Sequence, residues 1–238
     1  VTRLAGGPVI PSFGHGAKCI IQNHWFCTSW VQDHWGDILQ PGLVQHIELT
    51  LIAVGCGFGI AFLLALVGFR FRLFDAPLGA ATDLLYMLPS IALFEVLIPI
   101  TGLGRATIEI PLVAYTLFVL YRNTIAGLRS VPAEVLESAR GMGLTRVQTF
   151  VRVELPLAVP AIVAGLRIAT VSTISIATIA AFLVADGLGK PIWDALEAPD
   201  IFKTELLASG GLVILLALVA DGLLALLQRA LTPWRRVA

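Results

Sequence analysis

Five long apolar runs constrain this chain more than any other feature. They lie at about 47–69, 84–100, 108–120, 157–184 and 206–227. A bilayer core of about 30 Å is crossed by a helix of about 20 mostly apolar residues. The runs therefore predict an all-α, polytopic membrane protein with about five transmembrane helices. The second and third runs are short or interrupted, and their ends are the least sharply drawn. Composition agrees: 57% of the 238 residues are hydrophobic and 13% charged, with mean hydropathy +0.87. A soluble domain carries about 25% charged residues, so a soluble enzyme is excluded. A formal net charge of zero argues against nucleic acid as a partner. The runs put 30–238 into a single membrane-embedded domain surrounded by lipid. Residues 1–29 form an N-terminal extension, ordered or disordered.

That extension lacks the basic-then-apolar layout of a signal peptide, and the initial Val points to a GTG start or a trimmed chain. Three cysteines, Cys19, Cys27 and Cys56, are too few for a disulfide scaffold. Cys56 reads as a small packing residue. Cys19 and Cys27 lie near His15, His24 and His34, but their spacing matches no standard zinc pattern, so no metal site is assigned. Trp30, Val31, Trp35, Ile38 and Leu39 recur at helical spacing between polar residues. They read either as an amphipathic interfacial helix with tryptophans at headgroup level or as a solvated arm.

Basic residues set the orientation. Arg70 and Arg72 close the first run; Arg122, Arg129, Arg140, Arg146 and Arg152 cluster at and after the end of the third; Arg229, Arg235 and Arg236 follow the fifth. If five spans alternate, these ends share the cytoplasmic side, with the N-terminus outside and the C-terminus inside. The other side receives Arg3, Lys18, Arg105, Lys190 and Lys203, among acids such as Asp186 and Asp194. Gly55 and Gly59, with Gly57 between them, form a small-xxx-small pattern suited to close helix packing. Thr170, Ser172, Thr173, Ser175 and Thr178 interrupt the fourth run. They either bond to helix carbonyls or line a polar pathway.

The one long polar stretch on the cytoplasmic side is 130–156. Pro132 suits a first helical turn, and Glu134 and Glu137 put negative charge near that helix's N-terminus. Leu136, Ala139 and Met142 recur at helical spacing, and Gly141 and Gly143 allow a break. Thr145 with Gln148 is a capping box opening a second short helix, whose Val147, Phe150 and Val151 would lie on the membrane. The stretch thus predicts two short helices joined by a glycine turn, with Leu155-Pro156 starting the fourth span.

Glu137-Ser138-Ala139, Gly143 four positions later, and Val153-Glu154-Leu155-Pro156 resemble the EAA loop of ABC importer permeases. Ser138 for Ala and Val153 for Ile are the departures. The resemblance implies a coupling helix that docks on a cytoplasmic ATPase, with Glu134, Glu137, Ser138, Ala139, Arg140, Gly141, Met142, Gly143, Leu155 and Pro156 forming the contact region. No Walker phosphate loop and no catalytic constellation occurs in the sequence. ATP and Mg therefore belong to the partner, and this chain is a transport subunit, not an enzyme.

From about Trp30 onward the chain is similar to the osmoprotectant branch of that family. Leu88-Pro89-Ser90-Ile91-Ala92-Leu93, Tyr115, Arg122-Asn123-Thr124, Ala164-Gly165-Leu166-Arg167 and Gly187-Leu188-Gly189 carry the likeness. It implies import of glycine betaine, choline, carnitine, proline or related amines across a bacterial or archaeal cytoplasmic membrane. It also implies a second permease subunit, identical or homologous, and an extracytoplasmic binding protein, separate because the chain ends at Ala238. Pro89, Ser90, Glu95, Tyr115, Thr170 and Thr173 are the candidate pathway residues. Glu95 departs from the branch's pattern, as an external gate group or a hydrated acid. Tyr86 and Phe94 either face the pathway or pack. The alternatives are a methionine or other amino-acid permease and, from another class, an ATPase-independent secondary transporter.

Overall fold

Hydrocarbon offers a backbone no hydrogen bonds, so spanning segments must satisfy their own. The computed structural model, which describes residues 18–233, does this with helices, and no strand occurs among the described residues. In chain order these are α1 (Lys18–Ile21), α2 (Thr28–Asp33), α3 (Gln40–Arg70), α4 (Arg72–Met87), α5 (Ser90–Thr101) and α6 (Arg105–Arg129). There follow α7 (Ala133–Gly141), α8 (Arg146–Thr149), α9 (Leu155–Ala180), α10 (Gly189–Glu197) and α11 (Lys203–Leu231). π-Helical turns at Trp35–Leu39 and Phe150–Glu154 run without a break into α3 and α9.

Three helical segments are long and apolar enough to cross a membrane: Trp35–Arg70, Arg146–Ala180 and Lys203–Leu231. The bent pair α4 and α5 is apolar enough to make a fourth when the two are counted as one span. The third run belongs to α6, which at 25 residues is long enough but falls short of these in apolar content. It is the central helix, packed between α3 and α9 and flanked by α4 and α5, while α11 lies on α9 and α10. Its buried face includes Thr107, Thr116 and Thr124 as well as Leu112 and Leu120, which dilutes its hydropathy.

The second run, 84–100, is not one helix. It breaks at Leu88 and Pro89, and the axes of α4 and α5 differ by 95°. Proline lacks an N–H and pushes the residue before it out of the α region; Leu88 accordingly takes φ −70° and ψ 135°. The helices of the first, third and fifth runs extend past those runs: α3 begins at Gln40, α6 extends to Arg129, and α11 spans Lys203–Leu231. The fourth run overshoots, because α9 ends at Ala180 and the chain turns before Asp186.

Three packing expectations are corrected. The close approach on α3 is at Gly57, where a Cβ would meet Thr116 of α6; Gly55 and Gly59 have open space beside them. Cys56 faces outward from the subunit instead of packing within it. Trp30 is 2% exposed and lies edge-on to Phe202, within a cluster that includes Cys27, Leu39 and Ala195; of the two tryptophans only Trp35 is on the surface. The apolar area gained by burying an indole inside the protein outweighs headgroup contact. Cys19 and Cys27 form a disulfide, with Cα atoms 5.7 Å apart, so neither thiol is available to a metal. His15, Arg3, Arg235 and Arg236 lie outside the described residues.

Candidate functional site

The 130–156 stretch forms a capped two-helix corner. Pro132 sits at the N-cap of α7, whose buried anchor is Ala139, while Glu134, Glu137, Ser138 and Arg140 are exposed. The Ser138 hydroxyl donates to the Glu134 carbonyl at 2.8 Å, within the helix. The C-terminus closes with Leu144 N–H on the Ala139 carbonyl (3.2 Å) and Gly143 N–H on the Arg140 carbonyl (2.9 Å). This is a Schellman arrangement, and its left-handed residue is Gly143 at φ +78°. Gly141 is an ordinary last helical residue. The expected capping box is present: Gln148 N–H reaches Thr145 Oγ1 at 3.3 Å and Thr145 N–H reaches Gln148 Oε1 at 2.9 Å.

These local bonds make the corner stiff, and its outer surface is chemically mixed. Met142 is 73% exposed and Val147 72% exposed, beside the exposed carboxylates of Glu134 and Glu137. Beneath the corner a cleft is walled by Leu66 and Phe69 of α3 and by Leu136, Arg140 and Phe150. Leu155 and Pro156 are half-buried and continue the corner directly into α9. The corner thus presents exposed apolar and acidic groups and is joined directly to a long helix.

The candidate pathway residues fall into separate places. Pro89 and Ser90 form the bend, where the buried Tyr115 hydroxyl donates to the Leu88 carbonyl left free there. Tyr86 stacks on Phe118 at 4.5 Å and meets Tyr115 edge-on at 5.9 Å. Phe94 is 1% exposed and belongs to the core. Glu95 is exposed on α5. Thr170 and Thr173 are buried in α9, with hydroxyls donated to the Leu166 and Ala169 carbonyls at 2.8 Å each.

A polar knot joins α3, α6 and the turn after α9; Arg105 and Asp186 enter the sequence analysis only as charges, and His46, Glu48 and Glu109 not at all. Arg105 donates to Asp186 at 2.6 Å and to Glu48 at 3.0 Å. His46, fully buried, accepts the Leu188 N–H at Nδ1 (3.3 Å), so its Nε2–H donates to the Ile174 carbonyl (3.0 Å). The adjoining Glu109 has both carboxylate oxygens buried without a hydrogen-bond partner. Among the described residues no group of three His, Cys, Asp or Glu side chains could hold a metal.

The structure is thus a helical core with a capped, exposed corner between two of its long helices. The chain belongs to the family of binding-protein-dependent transport system inner membrane components, whose model matches residues 57–233. It is 35% identical over 207 residues to the choline transport system permease protein OpuBB of Bacillus subtilis, covering 87% of this chain and 94% of that protein. It is 38% identical over 195 residues to the osmoprotectant import permease protein OsmW of Salmonella typhimurium, covering 79% and 89%. In fold it is similar to a chain of the inward-facing MetNI methionine ABC transporter: TM-score 0.72, 20% identity, 84% of this chain and 98% of that one. The chain is a permease subunit of an ABC importer. The methionine transporter shares its architecture, whereas sequence relatedness runs to osmoprotectant permeases.

Proposed function

We propose that this permease carries a compatible solute bearing a quaternary amine, delivered by an extracytoplasmic binding protein and driven by partner ATPases docked on 130–156. The observation that carries the substrate class is 35% identity to a choline permease along 94% of that protein's length. In this reading α6 counts as a span, giving five, with the N-terminus outside and the C-terminus inside a bacterial or archaeal cytoplasmic membrane. A second permease subunit, identical or homologous, completes the pathway. Pro89, Ser90, Tyr115, Thr170 and Thr173 lie along it, and Glu95 stands near its outer end. The contact with the ATPase is Glu134, Glu137, Ser138, Ala139, Arg140, Gly141, Met142 and Gly143, backed by Leu155 and Pro156.

The test is ATP-dependent uptake into proteoliposomes holding this subunit, its ATPase and its binding protein. Labelled betaine or choline should accumulate, and excess methionine should not compete. In the same assay Gly143→Val or Glu137→Lys should leave the subunit in the membrane but abolish substrate-stimulated uptake. A β-branched residue is strained at φ +78°, and the reversed charge opposes an acid-accepting partner. Competition by methionine alone would reassign the substrate, and normal uptake in both variants would reassign the docking surface.

A further inference from the structure

We infer that the groove between α9 and α11 holds a substrate subsite in which Arg167 takes the carboxylate of a zwitterionic quaternary amine and Asp221 takes its cationic head. The inference rests on the transport reading above and adds the residues that would discriminate between substrates. Arg167 Nε donates to Asp221 Oδ1 and Nη2 to Oδ2, both at 2.7 Å. A guanidinium has five N–H donors; these bonds use two, and among the described residues Arg167 has no other partner. Three donors therefore remain for a ligand, in the planar fork that suits a carboxylate. Asp221 keeps acceptor capacity for a cation.

Depth makes the pair informative. Arg167 lies near the middle of α9 (Leu155–Ala180), and Asp221 lies ten residues before the end of α11 at Leu231, about 15 Å at 1.5 Å per residue. Ionised side chains at such depth are costly and face a cavity, water or another protein surface, not lipid tails. Yet these two remain 33% and 38% exposed. They open into a groove of about 720 Å³, within the usual range for small-molecule sites of about 300–1,000 Å³. Its walls are mostly apolar, from Ala164 and Ala217 to the larger Ile168, Ile214 and Leu218, with Ser175 further along α9. A quaternary ammonium has no N–H to satisfy, so methyl-lined walls beside one carboxylate suit it better than a ring of acceptors. A zwitterion also adds no net charge to a site that already balances its own.

The proteoliposome assay decides, with labelled glycine betaine and labelled choline measured in parallel. Both carry the quaternary head, and only betaine carries a carboxylate. Arg167→Gln should lower betaine uptake about tenfold relative to choline, the effect of losing one charged hydrogen-bonded contact. Arg167→Lys retains the positive charge, and with it an ion pair to Asp221, but loses the fork. It should raise the KM for betaine and leave that for choline near the wild-type value. If Arg167→Gln does not assemble, the lysine variant alone carries the test. An unchanged betaine-to-choline ratio in the assembled variants overturns the subsite and makes the pair a brace between α9 and α11. Wild-type protein that carries neither compound overturns the transport reading itself, before any variant is compared.

Discussion

Gly57 marks the tightest approach between α3 and α6, and its replacement has a calculable consequence. A Cβ at Gly57 would lie 1.8 Å from Thr116 Oγ1 and 3.0 Å from Thr116 Cβ. The Thr116 hydroxyl is already held on the Val113 carbonyl at 2.7 Å, and threonine has few helical rotamers to retreat to. Gly57→Ala must spread the helices or turn the hydroxyl away. Overpacking costs about 1–3 kcal/mol, and loss of the hydrogen bond about 1 kcal/mol more. The better helix propensity of alanine returns about 1 kcal/mol, leaving a net loss of about 1–3 kcal/mol. Gly55→Ala and Gly59→Ala meet nothing within 4 Å and should be neutral or slightly stabilising. Thermal denaturation of the purified subunit in detergent, followed by the monodisperse fraction that survives heating, should rank Gly57→Ala lowest. Adding Thr116→Ala should restore part of the loss, since Oγ1 is removed while the 3.0 Å Cβ contact stays. Gly57→Ala as heat-resistant as Gly55→Ala would refute the reasoning.

At Gly187, φ is +68° and a Cβ would sit 2.9 Å from His46 Nδ1; Gly187→Ala should destabilise by about 1–3 kcal/mol, seen as an earlier thermal transition, and equal stability would remove the His46 knot as a constraint. The Cys19–Cys27 bond leaves Cys56 as the free thiol. Alkylation of denatured protein should therefore add one group before reduction and three after, and three before reduction would contradict the pairing. For orientation, with Cys19, Cys27 and Cys56 replaced, a cysteine at the exposed Lys190, beside Gly189, should react with an impermeant thiol reagent from outside and one at Arg140 should not. Reversed labelling would overturn both the topology and the docking role of 130–156.

How legible each feature was depended on how local its cause is. The corner at 130–156 could be read because its determinants are short-range: Thr145 with Gln148 three residues on, and a glycine where α7 must end. The bend at Pro89 was hidden by hydropathy, because both of its arms are apolar and an average over the window erases the break. Which of Gly55, Gly57 and Gly59 meets a neighbour is decided by the position of α6, so the small-residue pattern found the region but named the wrong pair. Arg167 and Asp221 are 54 residues apart, and only the packing of α11 on α9 brings them together. Cys19 and Cys27 pair across a reversal that includes Asn23, a non-glycine residue at φ 46°, which spacing alone does not announce.

The broken second span implies an order of assembly. α5 has twelve residues, about 18 Å of helix at 1.5 Å per residue, too short to cross a hydrocarbon core of about 30 Å. It reaches the length of a span only together with α4, to which it lies at 95°. The Leu88 carbonyl, released at the kink, is answered only by the Tyr115 hydroxyl. Tyr115 belongs to α6, which leaves the ribosome later. The bend that Pro89 sets locally is therefore completed from a distance: its freed carbonyl is satisfied once α6 has docked against α4 and α5.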